Sequence, residues 1–218
     1  MAKYKIEFFN DHGVDGTYAV FTSPPTVGDG STVYTNSWMS FPTPPGGDFK
    51  ITVTSNFDAW VGTSPSFPAP GVVVETGQTA AVKIGTTVIP MVVKDGRPSF
   101  NLKGITANAK AGSFGIVTGM DFTMPNSRYM IGLAQLDSNG NPAPTASILA
   151  NNNAATYITP VVRFFIGEFK YIPGTVVNFA EASAISAKID FSSSEAGGMT
   201  TAIVKHLSTG AFQVKYVA

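Results

Sequence analysis

The stretch KYKIEFF at residues 3–9 alternates apolar and charged side chains with a period of two. Tyr4, Ile6 and Phe8 fall on one face, and the charged residues fall on the other. This is the pattern of a β-strand with one face buried and one face in water. The same alternation returns in three further segments, namely 50–54, 185–191 and 212–216.

Two denser apolar runs, at 88–93 and 161–166, predict strands that are covered on both faces. Pro90 lies inside the first run and has no amide hydrogen to give to a neighbouring strand. We therefore expect that strand to be an edge strand or to contain a bulge.

Turn signals separate these runs at short intervals and predict roughly a dozen short strands. The clearest lie at 11–13, 15–16, 95–96, 139–140 and 208–210. The best helical candidate is the short segment from Thr145 to Ala150, which has Thr145 as its N-cap and no capping-box partner. The sequence predicts an all-β fold, an antiparallel sandwich or jelly roll, with two packed β-subdomains as a variant.

A proline-rich stretch at 64–71 interrupts the strand pattern. It is interpreted either as a linker between two domains or as a rigid crossover between two sheets of one domain. The crossover is favoured because the piece before it is too short for a complete sandwich. We expect one all-β unit over residues 1–218, with an internal boundary near 64–71 as the alternative.

The charge balance excludes several partners. Fourteen basic residues equal fourteen acidic ones, which leaves no basic excess for a nucleic-acid backbone and little self-repulsion against close association. No run of roughly 18 apolar residues predicts a membrane span. The N-terminal segment lacks the apolar centre of a secretory signal, and cysteine is absent. We expect a cytoplasmic protein, with export by a non-classical route left open.

Reactive side chains are scarce, with two histidines, no cysteine and 13% charged residues. Enzymes draw bases, nucleophiles and metal ligands mainly from His, Cys, Asp and Glu. The sequence therefore favours a protein with no enzymatic activity, no metal and no cofactor. His12, in NDHGVD at 10–15, is interpreted as part of a polar hairpin tip in preference to a metal or acid–base site. His206 is expected at an exposed strand end, and no local signal predicts that the fold brings the two together.

Three other segments resemble known motifs, and each lacks a required part. Asp137 could begin a calcium loop, but the twelfth position, which needs a glutamate, is Ile148. Ser113 lacks the first glycine and the following helix of a nucleophile elbow. The glycine-rich 28–32 lacks the lysine of a phosphate loop. Carboxylates from separate strands leave a hydrolase as a further hypothesis without local support.

Trp38 and Trp60 are the only tryptophans, and each lies among aromatic, small and polar residues. They are candidates for a platform on which a sugar ring stacks, with Tyr34 and Asp58 as neighbouring candidate ligand-binding residues. Packing in the core between strands is the alternative, and it is the favoured one.

Several of these segments together resemble the RhiA-like family of bacterial proteins. The resemblance rests on strand and turn patterns, namely GTYAVF (16–21), PP (24–25), SWMSF (37–41), FDAWVGT (57–63), FIGEF (165–169) and AKIDF (187–191). It implies a cytoplasmic bacterial protein of a family linked to life in the plant root zone. It brings no established activity and no catalytic residues.

The sequence thus predicts a non-enzymatic structural or self-associating β-protein with exposed strand edges. The alternative is a lectin-like module that binds glycans through Trp38 and Trp60. A hydrolase ranks third.

Overall fold

The protein is described by a computed structural model over residues 3–218, and this part of the chain is all-β. Its strands are, in chain order, β1 (Lys3–Asn10), β2 (Gly16–Thr22), β3 (Thr26–Val27), β4 (Val33–Thr43), β5 (Asp48–Thr54), β6 (Phe57–Thr63), β7 (Glu75–Val82), β8 (Val88–Lys94), β9 (Arg97–Phe100), β10 (Phe114–Thr118), β11 (Tyr129–Leu136), β12 (Pro142–Leu149), β13 (Ala155–Thr159), β14 (Arg163–Glu168), β15 (Val176–Val177), β16 (Ala187–Asp190), β17 (Thr201–His206) and β18 (Phe212–Val217). Within these residues the helical elements are α1 (Phe179–Ala184) and a 3-10 turn (Leu102–Gly104). Neither is long and apolar enough to cross a bilayer.

The strands form three sheets. The first has four strands in the order β18-β17-β1-β5, and the second has five in the order β3-β13-β10-β8-β9. The third is a long sheet in the order β16-β14-β2-β4-β12-β11-β6-β7, and β15 pairs with β4 beside this path. Most pairs are antiparallel, and the pairs β1–β17 and β8–β10 are parallel.

The four-stranded sheet packs on one end of the long sheet. Ile6, Phe8 and Val204 point inward from the four-stranded sheet and meet Trp38 and Phe164 of the long sheet. The alternation in KYKIEFF is the cause, since Ile6 and Phe8 are buried while both lysines are exposed on the opposite face. The prediction of half-buried strands is confirmed for β1, β5 and β18.

The five-stranded sheet packs on the other end of the long sheet. Ile89, Phe114 and Ile116 meet Val61 and Ile131 in a second core. The long sheet therefore contributes buried side chains to both cores. Together the layers form an all-β sandwich. Its opposite face carries two smaller clusters, one around Trp60 and one around Phe21 under α1.

Two local predictions are wrong. The segment predicted as a weak helix, Thr145–Ala150, lies mostly in strand β12, where small side chains such as Ala146 are fully buried between neighbouring strands. The helix is α1 instead, which ends at Ala184, and its C-cap Ile185 is 66% exposed. The alternation at 185–191 predicts Ile185 as an inward strand residue, and this prediction is wrong.

The expectation for Pro90 is also wrong. Strand β8 is an inner strand, paired with β10 on one side and β9 on the other. Pro90 accepts a hydrogen bond from the Asn101 amide, 2.8 Å away, at the point where the pairing with β9 begins. The missing amide hydrogen therefore falls at the end of the ladder.

The proline-rich stretch 64–71 lies in the connection between β6 and β7, which are antiparallel neighbours in the long sheet. Its interpretation as a crossover between two sheets is therefore wrong. Val74, just beyond it, packs on the Trp60 cluster. The connection thus helps to cover the outer face of the long sheet.

Candidate functional site

Trp38 and Trp60 are both fully buried, each 0% exposed. The Trp38 indole donates a hydrogen bond to the Gln135 carbonyl (3.3 Å), and the Trp60 indole donates to the Thr76 hydroxyl (3.0 Å). A ring-stacking platform needs an open aromatic face. Neither tryptophan therefore offers an exposed ring on which a sugar could stack. Both side chains pack in the interior of the fold.

Tyr34 and Asp58 lie with Trp60 on the outer face of the long sheet. The register places Tyr34, Ser147, Gly132 and Trp60 in one row across four strands. Tyr34 is half-buried against the Trp60 cluster. Burial raises the pKa of the Asp58 carboxyl above its usual value. The structure thus brings three of the four predicted residues to the outer face of the long sheet. Trp38 lies instead in the core between the long sheet and the four-stranded sheet.

The topology brings the chain's two histidines together. Strands β1 and β17 are parallel neighbours, and their last pair is Asn10 with His206. Because parallel neighbours finish at the same edge of a sheet, the loop that leaves β1 carries His12 to the side of His206. The facing sheet adds Glu168, the last residue of β14, which pairs with Tyr18 of β2. We call His12, Glu168 and His206 the histidine cluster.

The donor atoms of this cluster are close. The Nδ1 atoms of His12 and His206 each lie 3.9 Å from Glu168 Oε2. The two imidazole rings are 4.2 Å apart between centroids, at an interplanar angle of 41°. One ligand atom from each of the three residues lies within 4.8 Å of the others. These residues could hold a metal ion, since each supplies a nitrogen or oxygen donor.

Tyr18 anchors the buried side of the cluster. Its hydroxyl lies 2.8 Å from His206 Nδ1 and donates to it when the imidazole carries its proton on the other nitrogen. Gly16 makes room for this ring, because a Cβ at that position would lie 2.7 Å from the Tyr18 hydroxyl. The expected exposed position for His206 is wrong, since it is only 3% exposed.

The local environment keeps both buried groups in their neutral forms. Burial, with the neighbouring His12, lowers the pKa of His206, and Glu168 opposes this only in part. Burial, with the negative charge of Glu168, raises the pKa of Tyr18 to about 12. At neutral pH the cluster therefore presents a neutral imidazole at His206 and an intact phenol at Tyr18.

An open groove of about 560 Å³ adjoins the cluster through Glu168. Its other charged lining residues are Asp15 and Lys170. The Glu168 side chain is 41% exposed and lies between this groove and the two histidines. Small solutes can therefore reach the carboxylate from solvent.

Two of the rejected motifs are ordinary turns. Asp137 Oδ1 accepts hydrogen bonds from the amides of Asn139 and Asn141, at 2.8 and 2.9 Å. The Ser113 hydroxyl donates a hydrogen bond to the Lys110 carbonyl, 2.9 Å away, within the same turn. Neither arrangement resembles a calcium loop or an activated nucleophile.

Both outer strands of the four-stranded sheet, β5 and β18, pair on one side only within residues 3–218. In the β1–β5 pair, the Asn10 amide bonds the Gly47 carbonyl at 2.9 Å. Hydrogen-bonded pairs alternate along an antiparallel ladder, so the amides of Lys50 and Thr52 point away from β1. We call this the β5 edge.

A protein-family model described as RhiA matches residues 1–216 of the chain. No curated protein and no solved structure gives a significant match.

Proposed function

The chain belongs to the RhiA family, and we propose that it is a non-enzymatic β-sandwich of the bacterial cytoplasm that works by associating with further copies of itself. The RhiA resemblance supplies the bacterial and cytoplasmic parts of this proposal. It contributes no catalytic residues.

The observation that carries the proposal is the pair of free edges on one sheet. An unpaired strand presents a row of backbone donors and acceptors that a strand of another chain can satisfy. The β5 edge of one copy and β18 of the next would extend the four-stranded sheet from molecule to molecule. Such a head-to-tail contact produces open assemblies unless its rotation closes a ring.

The surroundings of the β5 edge support strand addition. Lysines on edge strands commonly block pairing. Here Lys50 turns back onto its own sheet, with its ammonium 3.8 Å from the Glu7 carboxylate. The formal net charge of zero adds little long-range repulsion between copies.

The glycan-binding alternative has less support. Trp38 and Trp60 motivated it, and neither has an exposed face. Tyr34 is half-buried against the Trp60 cluster, and the Asp58 carboxyl beside it is partly desolvated. Self-association remains the better-supported function.

Replacing Thr52 with proline tests the edge directly. Thr52 is exposed, and its amide points away from β1. Proline removes that donor while leaving the hydrogen bonds to β1 in place. We expect wild-type protein to gain mass with concentration in sedimentation equilibrium. Thr52→Pro should weaken association by about tenfold, the equivalent of about 1.4 kcal/mol, roughly one hydrogen bond.

Thr52→Ser is the matched control, because it keeps the amide and a hydroxyl, and it should associate like wild type. Thermal unfolding of each variant at low concentration verifies that the monomer is intact. A wild-type chain that stays monomeric at millimolar concentration would refute self-association. Equal association of Thr52→Pro and Thr52→Ser would remove the β5 edge from the proposal.

A further inference from the structure

We propose that the histidine cluster is a binding site for a divalent transition-metal ion of the zinc type, held by His12 Nδ1, His206 Nδ1 and a Glu168 carboxylate oxygen. This inference goes beyond self-association and does not depend on it.

The donor set is the first support. Two imidazole nitrogens and one carboxylate oxygen are a common protein ligand set for zinc, with a fourth position left for water or another small ligand. Imidazole ligands favour ions such as Zn²⁺, Co²⁺, Ni²⁺ and Cu²⁺ over Mg²⁺ and Ca²⁺, which prefer oxygen. The chain has only two histidines in 218 residues, and both are in this cluster.

The distances are the second support. Ligand atoms at about 2.0–2.1 Å from a tetrahedral ion lie roughly 3.3 Å from one another. The two Nδ1 atoms lie 3.9 Å from Glu168 Oε2. These two separations need to shorten by roughly 0.6 Å to reach ligand spacing, and the histidine atoms, which lie within 4.8 Å of each other, need to approach by up to about 1.5 Å. Movements of this size are within the reach of one loop and one exposed side chain.

The backbone supplies one fixed ligand and two adjustable ones. His206 is buried at the end of β17, so its ring has little room to move. His12 lies in the loop between β1 and β2, where Gly13 adopts a φ of +90°. Glu168 ends β14, and its side chain is 41% exposed. His12 and Glu168 can therefore close on an ion that His206 positions.

A buried ring nitrogen without a partner is the independent sign of a ligand. The Nδ1 atom of His12 is buried, yet it makes no hydrogen bond within residues 3–218. Buried polar atoms are normally satisfied, and leaving one without a partner is costly. An ion placed between this nitrogen and Glu168 would satisfy it.

Access to the ion comes from the groove beside Glu168. The groove holds about 560 Å³ and is lined by Asp15 and Lys170 as well as Glu168. A bound ion could take its fourth ligand, water or a small anion, from this side. Because the Tyr18 hydroxyl lies 2.8 Å from the same His206 Nδ1, a bound ion would displace this hydrogen bond, and the hydroxyl could then donate to the water or anion on the ion.

Calorimetric titration with Zn²⁺ tests the site. The full chain, without a histidine tag and freed of metals by a chelator, should take up one ion per chain. His12→Gln and Glu168→Gln should each weaken binding by at least about tenfold. Glu168 is exposed and the His12 side chain is 28% exposed in a loop, so their variants should fold normally. Asp15→Asn is the matched control, since it removes a carboxylate from the same groove outside the cluster, and it should bind like wild type.

Co²⁺ supplies a second readout that reports the ligands. Wild-type protein should develop the visible absorption of a four- or five-coordinate Co²⁺ site, and His12→Gln should not. Zn²⁺ should also raise the melting temperature of wild type and of Asp15→Asn only. Failure of folded wild-type protein to bind one ion saturably would overturn the proposal. Unchanged binding in His12→Gln, or equal loss in Asp15→Asn and Glu168→Gln, would overturn it too.

Discussion

The two ends of the four-stranded sheet are closed in different ways. Where β1 begins, Tyr4 stacks on Phe191 with ring centroids 4.5 Å apart, and Tyr216 meets the same phenylalanine at 5.8 Å. Where β1 finishes, the sheet instead meets His12, His206 and the facing Glu168. We call these the aromatic end and the histidine end.

The polar groups of the two ends also differ. At the aromatic end, Asp190 receives hydrogen bonds from Arg163 (2.7 Å) and from the Ser192 hydroxyl (2.6 Å), and its amide donates to the Tyr216 hydroxyl (2.8 Å). At the histidine end, a buried nitrogen of His12 has no hydrogen-bond partner among residues 3–218. The carboxylate at one end is paired within the fold, whereas the other end leaves a ring nitrogen without a partner in the described part of the chain.

The largest expected effect is at the aromatic end. Phe191→Ala removes a ring that is 7% exposed and contacts Tyr4, Phe164 and Tyr216. We expect it to lower the free energy of unfolding by about 3 kcal/mol in urea denaturation. His12→Gln, measured with a chelator present, should change it by no more than about 0.5 kcal/mol. A similar loss in the free energy of unfolding for both variants would show that the two ends contribute equally to stability.

The ion pair at the aromatic end should make stability depend on pH. Burial would raise the pKa of Asp190, but hydrogen bonds from Ser192 and Arg163, with the charge of Arg163, outweigh burial and hold it below its usual value. The folded-state pKa is thus below the unfolded value of about 3.9. Its stabilising contribution is complete above about pH 5 and is lost as the pH falls through the folded pKa.

Asp190→Asn measures that contribution. The substitution should lower the free energy of unfolding by about 1–2 kcal/mol at pH 7. The loss is moderate because the Arg163 side chain is 37% exposed and water screens its charge. The difference from wild type should shrink as the pH is lowered to about 3. A difference that stays constant with pH would show that the carboxylate charge is not the cause.

A smaller effect than that of Asp190→Asn is expected from the hydrogen bond at the histidine end. Tyr18→Phe keeps the ring and removes the hydroxyl that lies 2.8 Å from His206 Nδ1. We expect a loss of about 1 kcal/mol in the free energy of unfolding, the usual cost of one hydrogen bond. Nitrogen chemical shifts of His206 should change at the same time. A variant as stable as wild type, with an unchanged imidazole, would contradict the contact.

Much of the aromatic end and the sheets could be predicted from local patterns. Alternation at Tyr4, Ile6 and Phe8 gave the inward face of β1, because a strand's side chains repeat every two residues. The pattern around Ala146 predicts a helix wrongly, because a short run of small residues is compatible with a helix and with a strand. The helix α1 was missed because it has six residues and no side-chain cap.

The histidine end could not be predicted in this way. His12 and His206 meet only because β1 pairs in parallel with β17, a contact between opposite ends of the chain. Alternation describes each strand alone and is silent about which strands become neighbours. Core packing of the two tryptophans was the favoured interpretation, but the connection carrying Val74, which helps to cover Trp60, is not revealed by any local pattern.

Anomalous X-ray diffraction from crystals grown with Zn²⁺ tests most directly whether the two ends differ as described. The account predicts one zinc peak per chain, at about 2.0–2.2 Å from His12 Nδ1, His206 Nδ1 and a Glu168 oxygen, and none at the aromatic end. Zinc bound elsewhere on the chain, with no anomalous peak between the two histidines, would contradict it.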